Sequence, residues 1–219
     1  MASSLLILGA GCANSSFDTL ETTPEPSSGD VSKLTQTEVE GMETTDEEST
    51  STESSNEEQP VIDRSNLSFP GVLPEEETDK NVRIKTNKGE IVFEILPDEG
   101  PNAASNFAYL VNSNYYDGLT FHRVEPGFVI QGGDPSGSGA GGPGYSFEDD
   151  KVSLPYDRGI VAMANSGPNT NGSQFFVMLA NTPLPPNYSI FGRVLEGMDV
   201  VDKIAVGDVM ETVILEDKE

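Results

Sequence analysis

Between Val82 and Leu215 the chain is cut into eight short apolar runs, and that spacing limits the possible folds more than any other feature. The runs are Val82–Thr86, Glu90–Ile95, Leu119–Val124, Phe128–Gly132, Gly159–Ala164, Gln174–Leu179, Ile190–Val194 and Thr212–Leu215. Each has the length of a strand and is too short for a helix of ordinary size. Val82-Arg83-Ile84-Lys85-Thr86 alternates with period two. Asn87-Lys88-Gly89 then supplies turn chemistry before Glu90–Ile95, so the pair reads as a hairpin. Two stretches carry a helical stripe instead. Pro101 can open the first, with Ala104, Phe107, Ala108 and Val111 on one face. Met198, Val201, Ile204 and Ala205 form the second. Many short strands with two helices suggest a mainly β fold, such as an antiparallel barrel with helices over its ends, although the pattern alone goes no further than β-rich.

Two of these regions carry more than a strand pattern. The first is Phe121-His122-Arg123-Val124-Glu125-Pro126-Gly127-Phe128-Val129-Ile130-Gln131-Gly132-Gly133-Asp134, which places one Arg and one Gln on apolar segments joined by a Pro-Gly turn. About thirty residues later comes Met163-Ala164-Asn165-Ser166-Gly167-Pro168-Asn169-Thr170-Asn171-Gly172-Ser173-Gln174-Phe175-Phe176. In this order and at this separation, the two closely resemble the active-site halves of the cyclophilin-type peptidyl-prolyl isomerases. The resemblance covers roughly residues 80 to 217. It implies a closed eight-stranded antiparallel barrel with a helix at each end, and an enzyme that accelerates rotation about X-Pro bonds.

That reaction makes a specific demand. Rotation about a peptide C–N bond costs about 18–20 kcal/mol because resonance is broken, and X-Pro bonds exchange only over tens to hundreds of seconds. No nucleophile, proton transfer or cofactor is required. The catalyst must hold the proline ring, exclude water and favour the twisted amide, whose nitrogen regains its lone pair and accepts a hydrogen bond. A fixed cation there stabilises the transition state more than the planar ground state. The resemblance assigns that role to Arg123, always protonated and planar. It places Phe128, Val129 and Phe176 around the proline, and has Gln131 orient Arg123 or bind the substrate backbone. Ala164 and Asn165 are expected to offer main-chain groups, Asn165 its side chain as well, and Gln174 is expected among the substrate-binding residues. Asn187-Tyr188-Ser189-Ile190-Phe191-Gly192 matches the last part of the family site. Tyr188 stands where many members have His, and Leu184 lies near where some carry a Trp. The chain has no Trp and is about one residue shorter there, which argues against tight cyclosporin binding but not against isomerisation.

Other motifs read more plainly. His122, the sole histidine, is expected to point away from Arg123 on an alternating strand and to be structural. Gly137-Ser138-Gly139-Ala140-Gly141-Gly142 matches G-x-G-x-x-G in letters, but no amphipathic helix follows it, so it reads as a loop beside the site. Glu148-Asp149-Asp150 lacks metal-loop spacing and reads as a solvated acidic turn. With one His and one Cys, no Ser-His-Asp triad or Cys/His metal centre is expected.

The N-terminal part is of another kind. Residues 1–80 hold 18 Asp/Glu against 3 Lys/Arg, a net of −15, and residues 81–219 hold 19 against 9, a net of −10. Such a surface repels nucleic acid and anionic headgroups and favours a monomer. Cys12, the lone cysteine, follows Leu5-Leu6-Ile7-Leu8 and Gly9-Ala10-Gly11. That resembles the end of a bacterial lipoprotein signal, with Cys12 lipidated and the protein exported and membrane-anchored. A cleaved signal without lipid, or an apolar N-terminus on a cytoplasmic protein, are the alternatives. Residues 13–66, rich in Ser, Thr, Glu and Asp, bury too little to offset ordering entropy and are expected to be a disordered tether. About 55 flexible residues span on the order of 40 Å. Residues 67–80 are a lead-in whose Leu67, Phe69, Val72 and Leu73 either pack on the domain or stay loose. The isomerase-like domain then runs over 81–219, with proline-containing polypeptides as its clients.

Overall fold

The computed structural model describes residues 63, 64 and 66–218. Cys12, the signal-like segment and nearly all of the acidic segment lie outside them.

All eight expected strands form, and their pairing follows from which face each side chain must bury. β1 (Lys80–Thr86) and β2 (Gly89–Ile95) make the hairpin around Asn87-Lys88, with Val82, Ile84, Ile91, Phe93 and Ile95 fully buried. α2 (Pro101–Asn112) follows a four-residue helix, α1 (Glu75–Thr78), which the sequence pattern did not predict. β3 (Phe121–Glu125), β4 (Val129–Gly132), β5 (Ile160–Met163), β6 (Phe175–Met178), β7 (Ile190–Glu196) and β8 (Met210–Asp217) complete one antiparallel sheet. Its order is β3-β4-β6-β5-β7-β2-β1-β8. The sheet curls strongly, as twisted strands with a filled concave face must. Its two edges meet at a single bridge, Thr120 to Val209, rather than along a ladder. Closure therefore rests on a few main-chain bonds, including Met210 N–H to Leu119 O (2.8 Å) and Phe121 N–H to Asp208 O (2.9 Å).

The interior is filled by side chains. Phe107 of α2 stacks on Tyr116 at 4.7 Å and meets Phe175 edge-on at 5.4 Å, and Phe93 and Phe191 close the cluster. Asp150 supplies the start of α2, where free N–H groups need an acceptor. Its carboxylate accepts the main-chain N–H of Asn102 (3.1 Å) and Ala103 (2.9 Å). The expected solvated acidic turn is therefore a correction: Asp150 is buried, and Asp149 accepts from Asn169 N–H and Asn171 Nδ2. The second helix is also shorter than its apolar stripe suggested. α3 covers only Met198–Val201 and Ala205 is exposed. The Asp208 carboxylate takes the Ala205 N–H at 2.7 Å, which turns the chain toward β8 instead of extending the helix.

The lead-in packs rather than staying loose. Leu67 and Phe69 lie against the main core, and Phe69 stacks on Phe147 at 5.0 Å with the rings 7° from parallel. Arg64 donates to the carbonyls of Tyr115 (2.9 Å) and Asp117 (2.7 Å). No helix among the described residues is long and apolar enough to cross a membrane.

Candidate active site

Strand alternation sends one set of side chains from β3, β4, β6 and β5 into the core and the other set outward. Ile130, Val177 and Val161 pair across strands on the inner face. The neighbouring row, Arg123–Gln131–Phe176–Ala162, faces out. An outward face this apolar must be covered, and a second, smaller cluster does so: Val129, Tyr156, Ile160, Ala162, Phe176, Met178 and Ile190. Phe128, Ala164, Leu184 and Tyr188 pack on it. Val129 and Phe176 of this cluster, with Phe128, Ala164, Leu184 and Tyr188, line a cleft of about 650 Å³.

Nine of the ten residues singled out around the site line that cleft: Arg123, Phe128, Val129, Gln131, Ala164, Asn165, Phe176, Leu184 and Tyr188. Gln174 stands behind them, in a smaller cavity of about 210 Å³ that shares Gln131, Gly139, Ala164 and Asn165 with the first. The Arg123 guanidinium donates to Gln131 Oε1 at 3.2 Å, sits 3.6 Å from a Glu125 carboxylate oxygen, and lies 5.9 Å from the Phe128 ring centre. Gln131 Nε2 donates to Gln174 Oε1 at 2.9 Å. Gln174 Nε2 in turn donates to the carbonyls of Gly139 (3.0 Å) and Gly141 (2.9 Å). A cation is thus held at the rim of the cleft by a chain of neutral amides, with the half-exposed Glu125 carboxylate as its ion-pair partner. The amides fix its position without adding charge of their own.

The glycine-rich loop that ends the chain is built around Asp134. This carboxylate, 1% exposed, accepts from Ser136 N–H and Oγ (both 2.7 Å), Gly139 N–H (2.6 Å) and Gly141 N–H (3.1 Å). A Cβ on Gly141 would fall 2.0 Å from Asp134 Oδ1, so the backbone approaches as only glycine allows. Burial alone would raise the Asp134 pKa; the hydrogen bonds from Ser136, Gly141 and Gly139 outweigh it and bring it to about 2.

Asn165 spends its side-chain amide on Asn187 O (2.8 Å) and Asn171 Oδ1 (3.4 Å). It therefore ties the 165–172 loop to the segment before Tyr188. Tyr188 packs edge-on against Phe176 at 5.6 Å. Its main chain is clamped by Tyr156, whose hydroxyl donates to Tyr188 O (2.9 Å) and accepts from Tyr188 N–H (3.0 Å). Tyr156 was missed by sequence reasoning because it lies in an irregular segment with no periodicity. Glu125, beside Arg123, was missed too, although its place two residues along the same strand put both on one face.

His122 corrects the alternation argument. The β3–β4 register shifts between Phe121 and Arg123, so His122 is the extra residue of a bulge. A bulge breaks strict alternation, and His122 lines the same cleft as Arg123. Both ring nitrogens are buried without a hydrogen-bond partner, and burial lowers the pKa of the ring. Among the described residues no group of three or more His, Cys, Asp or Glu is placed to hold a metal ion.

Comparison with known proteins agrees with this geometry. The family described as cyclophilin type peptidyl-prolyl cis-trans isomerase/CLD matches residues 81–218. The chain is similar to a peptidyl-prolyl cis-trans isomerase of Arabidopsis thaliana, 52% identical over 128 residues, which covers 56% of this chain and 80% of that one. It is similar to a Helicobacter pylori peptidyl-prolyl cis-trans isomerase, 43% identical over 149 residues, covering 65% and 91%. Among solved structures it is similar to a Cryptosporidium parvum cyclophilin type isomerase determined in the presence of the dipeptide Ala-Pro. That match has a TM-score of 0.59 at 36% identity and covers 63% of this chain and 99% of the other. With a family match over more than half its length, the chain belongs to the cyclophilin-type peptidyl-prolyl cis-trans isomerases, and isomerisation of X-Pro bonds is its activity.

Proposed function

We propose that the cleft clamps the proline of a polypeptide client on Phe128, Val129, Phe176, Leu184 and Tyr188, while Arg123 stabilises the twisted amide. The observation that carries this reading is the Arg123 guanidinium, held over Phe128 at the cleft rim by Gln131. A donor fixed beside the prolyl nitrogen gains strength as the lone pair localises and offers little to the planar amide, so its effect falls on rate. Gln131, itself held by Gln174, positions the guanidinium. The main chain of Ala164 and Asn165 meets the substrate strand, and the Asn165 amide braces the wall that it helps to build. No covalent intermediate and no cofactor enter the mechanism.

The test is an isomerisation assay on an X-Pro peptide, wild type beside Arg123→Ala. The expected loss is at least about tenfold in kcat/KM, or about 1.4 kcal/mol of transition-state stabilisation. Undiminished acceleration in the variant would remove Arg123 from the mechanism. Peptide binding without any acceleration would make the cleft a receptor for proline segments.

The biological setting we infer is folding of exported proteins by a monomeric isomerase lipidated at Cys12. Its support is the apolar run and small residues before Cys12 and the acidic, low-complexity stretch after it.

A further inference from the structure

A third cavity, of about 590 Å³, opens on the far side of Leu184. Its walls are two loops. Leu154, Pro155 and Tyr156 come from one, and Pro183, Leu184 and Pro186 from the other. The loops are tied to each other. Thr182 N–H donates to Tyr156 O at 3.1 Å, and Arg158 N–H donates to Asn181 Oδ1 at 2.8 Å. Three prolines with fixed φ stiffen the walls. Asp157 is the sole charged residue on the lining.

Leu184 is common to this groove and to the catalytic cleft, so the two surfaces are continuous. The direction of a bound chain follows from Arg123, on the reading given above. Gln131, which holds Arg123, lines both the cleft and the smaller second cavity. A prolyl nitrogen beside the guanidinium sends the residue before proline toward that second cavity. The proline Cα and everything after it then lead the other way, across Leu184. In an extended chain alternate side chains face the same side, so the second residue after proline faces the protein as the proline does.

We propose that the groove beyond Leu184 is a binding subsite for an apolar side chain of the client, at the second residue after the isomerised proline. The inference rests on the proposed placement of proline and adds to it a sequence preference downstream of the bond. Apolar walls favour Leu or Val there, while Asp157 and the acidic domain disfavour Asp or Glu.

The test compares three peptides that share one X-Pro core and carry Leu, Ala or Asp at the second position after proline. All are assayed with the full-length protein and with Arg123→Ala. The Leu peptide is expected to exceed the Ala peptide by about five- to tenfold in kcat/KM, mainly through KM, as partial burial of a Leu side chain allows. The Asp peptide is expected to fall below Ala. In Leu154→Asp the Leu-to-Ala ratio should fall toward one. Pro186→Asp, at an exposed position that does not threaten the fold, should do the same. The ratio is taken within one protein, so lost stability does not imitate the effect. Equal rates for Leu and Ala in the wild type, with Arg123 still required, would overturn the subsite and leave the mechanism standing. A Leu preference untouched by both substitutions would place its origin elsewhere and overturn it too. No acceleration of any peptide would overturn the mechanism and the subsite together.

Discussion

At the scale of single residues, the position of the Arg123 guanidinium depends on a buried carboxylate in the glycine-rich loop, Asp134. Asp134 gathers the N–H groups of Ser136, Gly139 and Gly141, which aims the carbonyls of Gly139 and Gly141 at Gln174. From Gln174 the chain passes through Gln131 to Arg123. An Asn at 134 keeps one acceptor but brings a donor into a nest of donors. Asp134→Asn is therefore expected to cost about 1.5–3 kcal/mol, the range for hydrogen bonds to a charged group, and, by loosening Gln174 and through it Gln131 and Arg123, to lower kcat severalfold. The pH dependence has a definite sign. The folded pKa lies near 2, below the ordinary 3.8, so the ionised form stabilises the fold. That contribution is complete above about pH 4 and is lost as pH falls through about 2. Denaturant unfolding at pH 5 and pH 2.5 should show wild type losing more stability across that interval than Asp134→Asn. Equal losses would mean that the carboxylate is not the anchor of the loop. Asp134 could be named in the sequence only as the end of a motif. Its burial comes from a loop that folds back over it, and no periodicity records that. The bulge at His122 was hidden for the same reason, since an extra residue in a strand leaves the letters unchanged and alters only the pairing.

Elements bring a second kind of surprise, because the strap formed by residues 66–79, with Arg64 ahead of it, lies outside the family match yet belongs to the packed structure. Phe69 stacks on Phe147, which bridges Asn171 in the loop behind the site. Leu73 N–H donates to Ser105 Oγ of α2 at 2.9 Å. Arg64 closes the far end on Tyr115 and Asp117. Removing a half-buried aromatic ring from such a seam is expected to cost about 2 kcal/mol, less than the 3–5 kcal/mol of a fully buried one. Phe69→Ala should lower the midpoint of denaturant unfolding with an unchanged slope. Val72→Ala, at a position 63% exposed, should stay within about 0.5 kcal/mol of wild type. If the two variants matched, the strap would contribute nothing to stability. The eight strands were readable because each is a short apolar run, alternating in β1 and buried on both faces in β5 and β6, and the turns between them carry Gly, Asn or Pro. The strap was not, because four apolar residues without a period do not say whether they find a partner. α3 was over-read for the converse reason: its stripe is real, but Asp208 and Gly207 turn the chain before the helix can use it.

At the scale of the whole molecule the dominant quantity is charge, and it sharpens what attachment to a membrane would have to look like. Residues 1–80 carry a net of −15 and residues 81–219 a net of −10. Both repel an anionic lipid surface, so net charge does nothing to assist an anchor. A single acyl chain holds a protein only marginally, and stable anchoring needs a second chain or a polybasic segment. If this chain is held at a membrane through Cys12, the lipid must therefore supply all of the attachment and must carry more than one chain. Two consequences separate this from adsorption. Membrane association of wild type should not weaken as salt is raised, since no attractive charge is screened and the repulsion is. Cys12→Ser should abolish incorporation of radiolabelled fatty acid and release the protein completely, with isomerase activity toward a soluble X-Pro peptide unchanged in the released form. A mature protein that still carries residues 1–11, or a Cys12→Ser variant that remains on membranes, would rule the anchor out. The isomerase would then act in solution, with the acidic segment as a solubilising appendage.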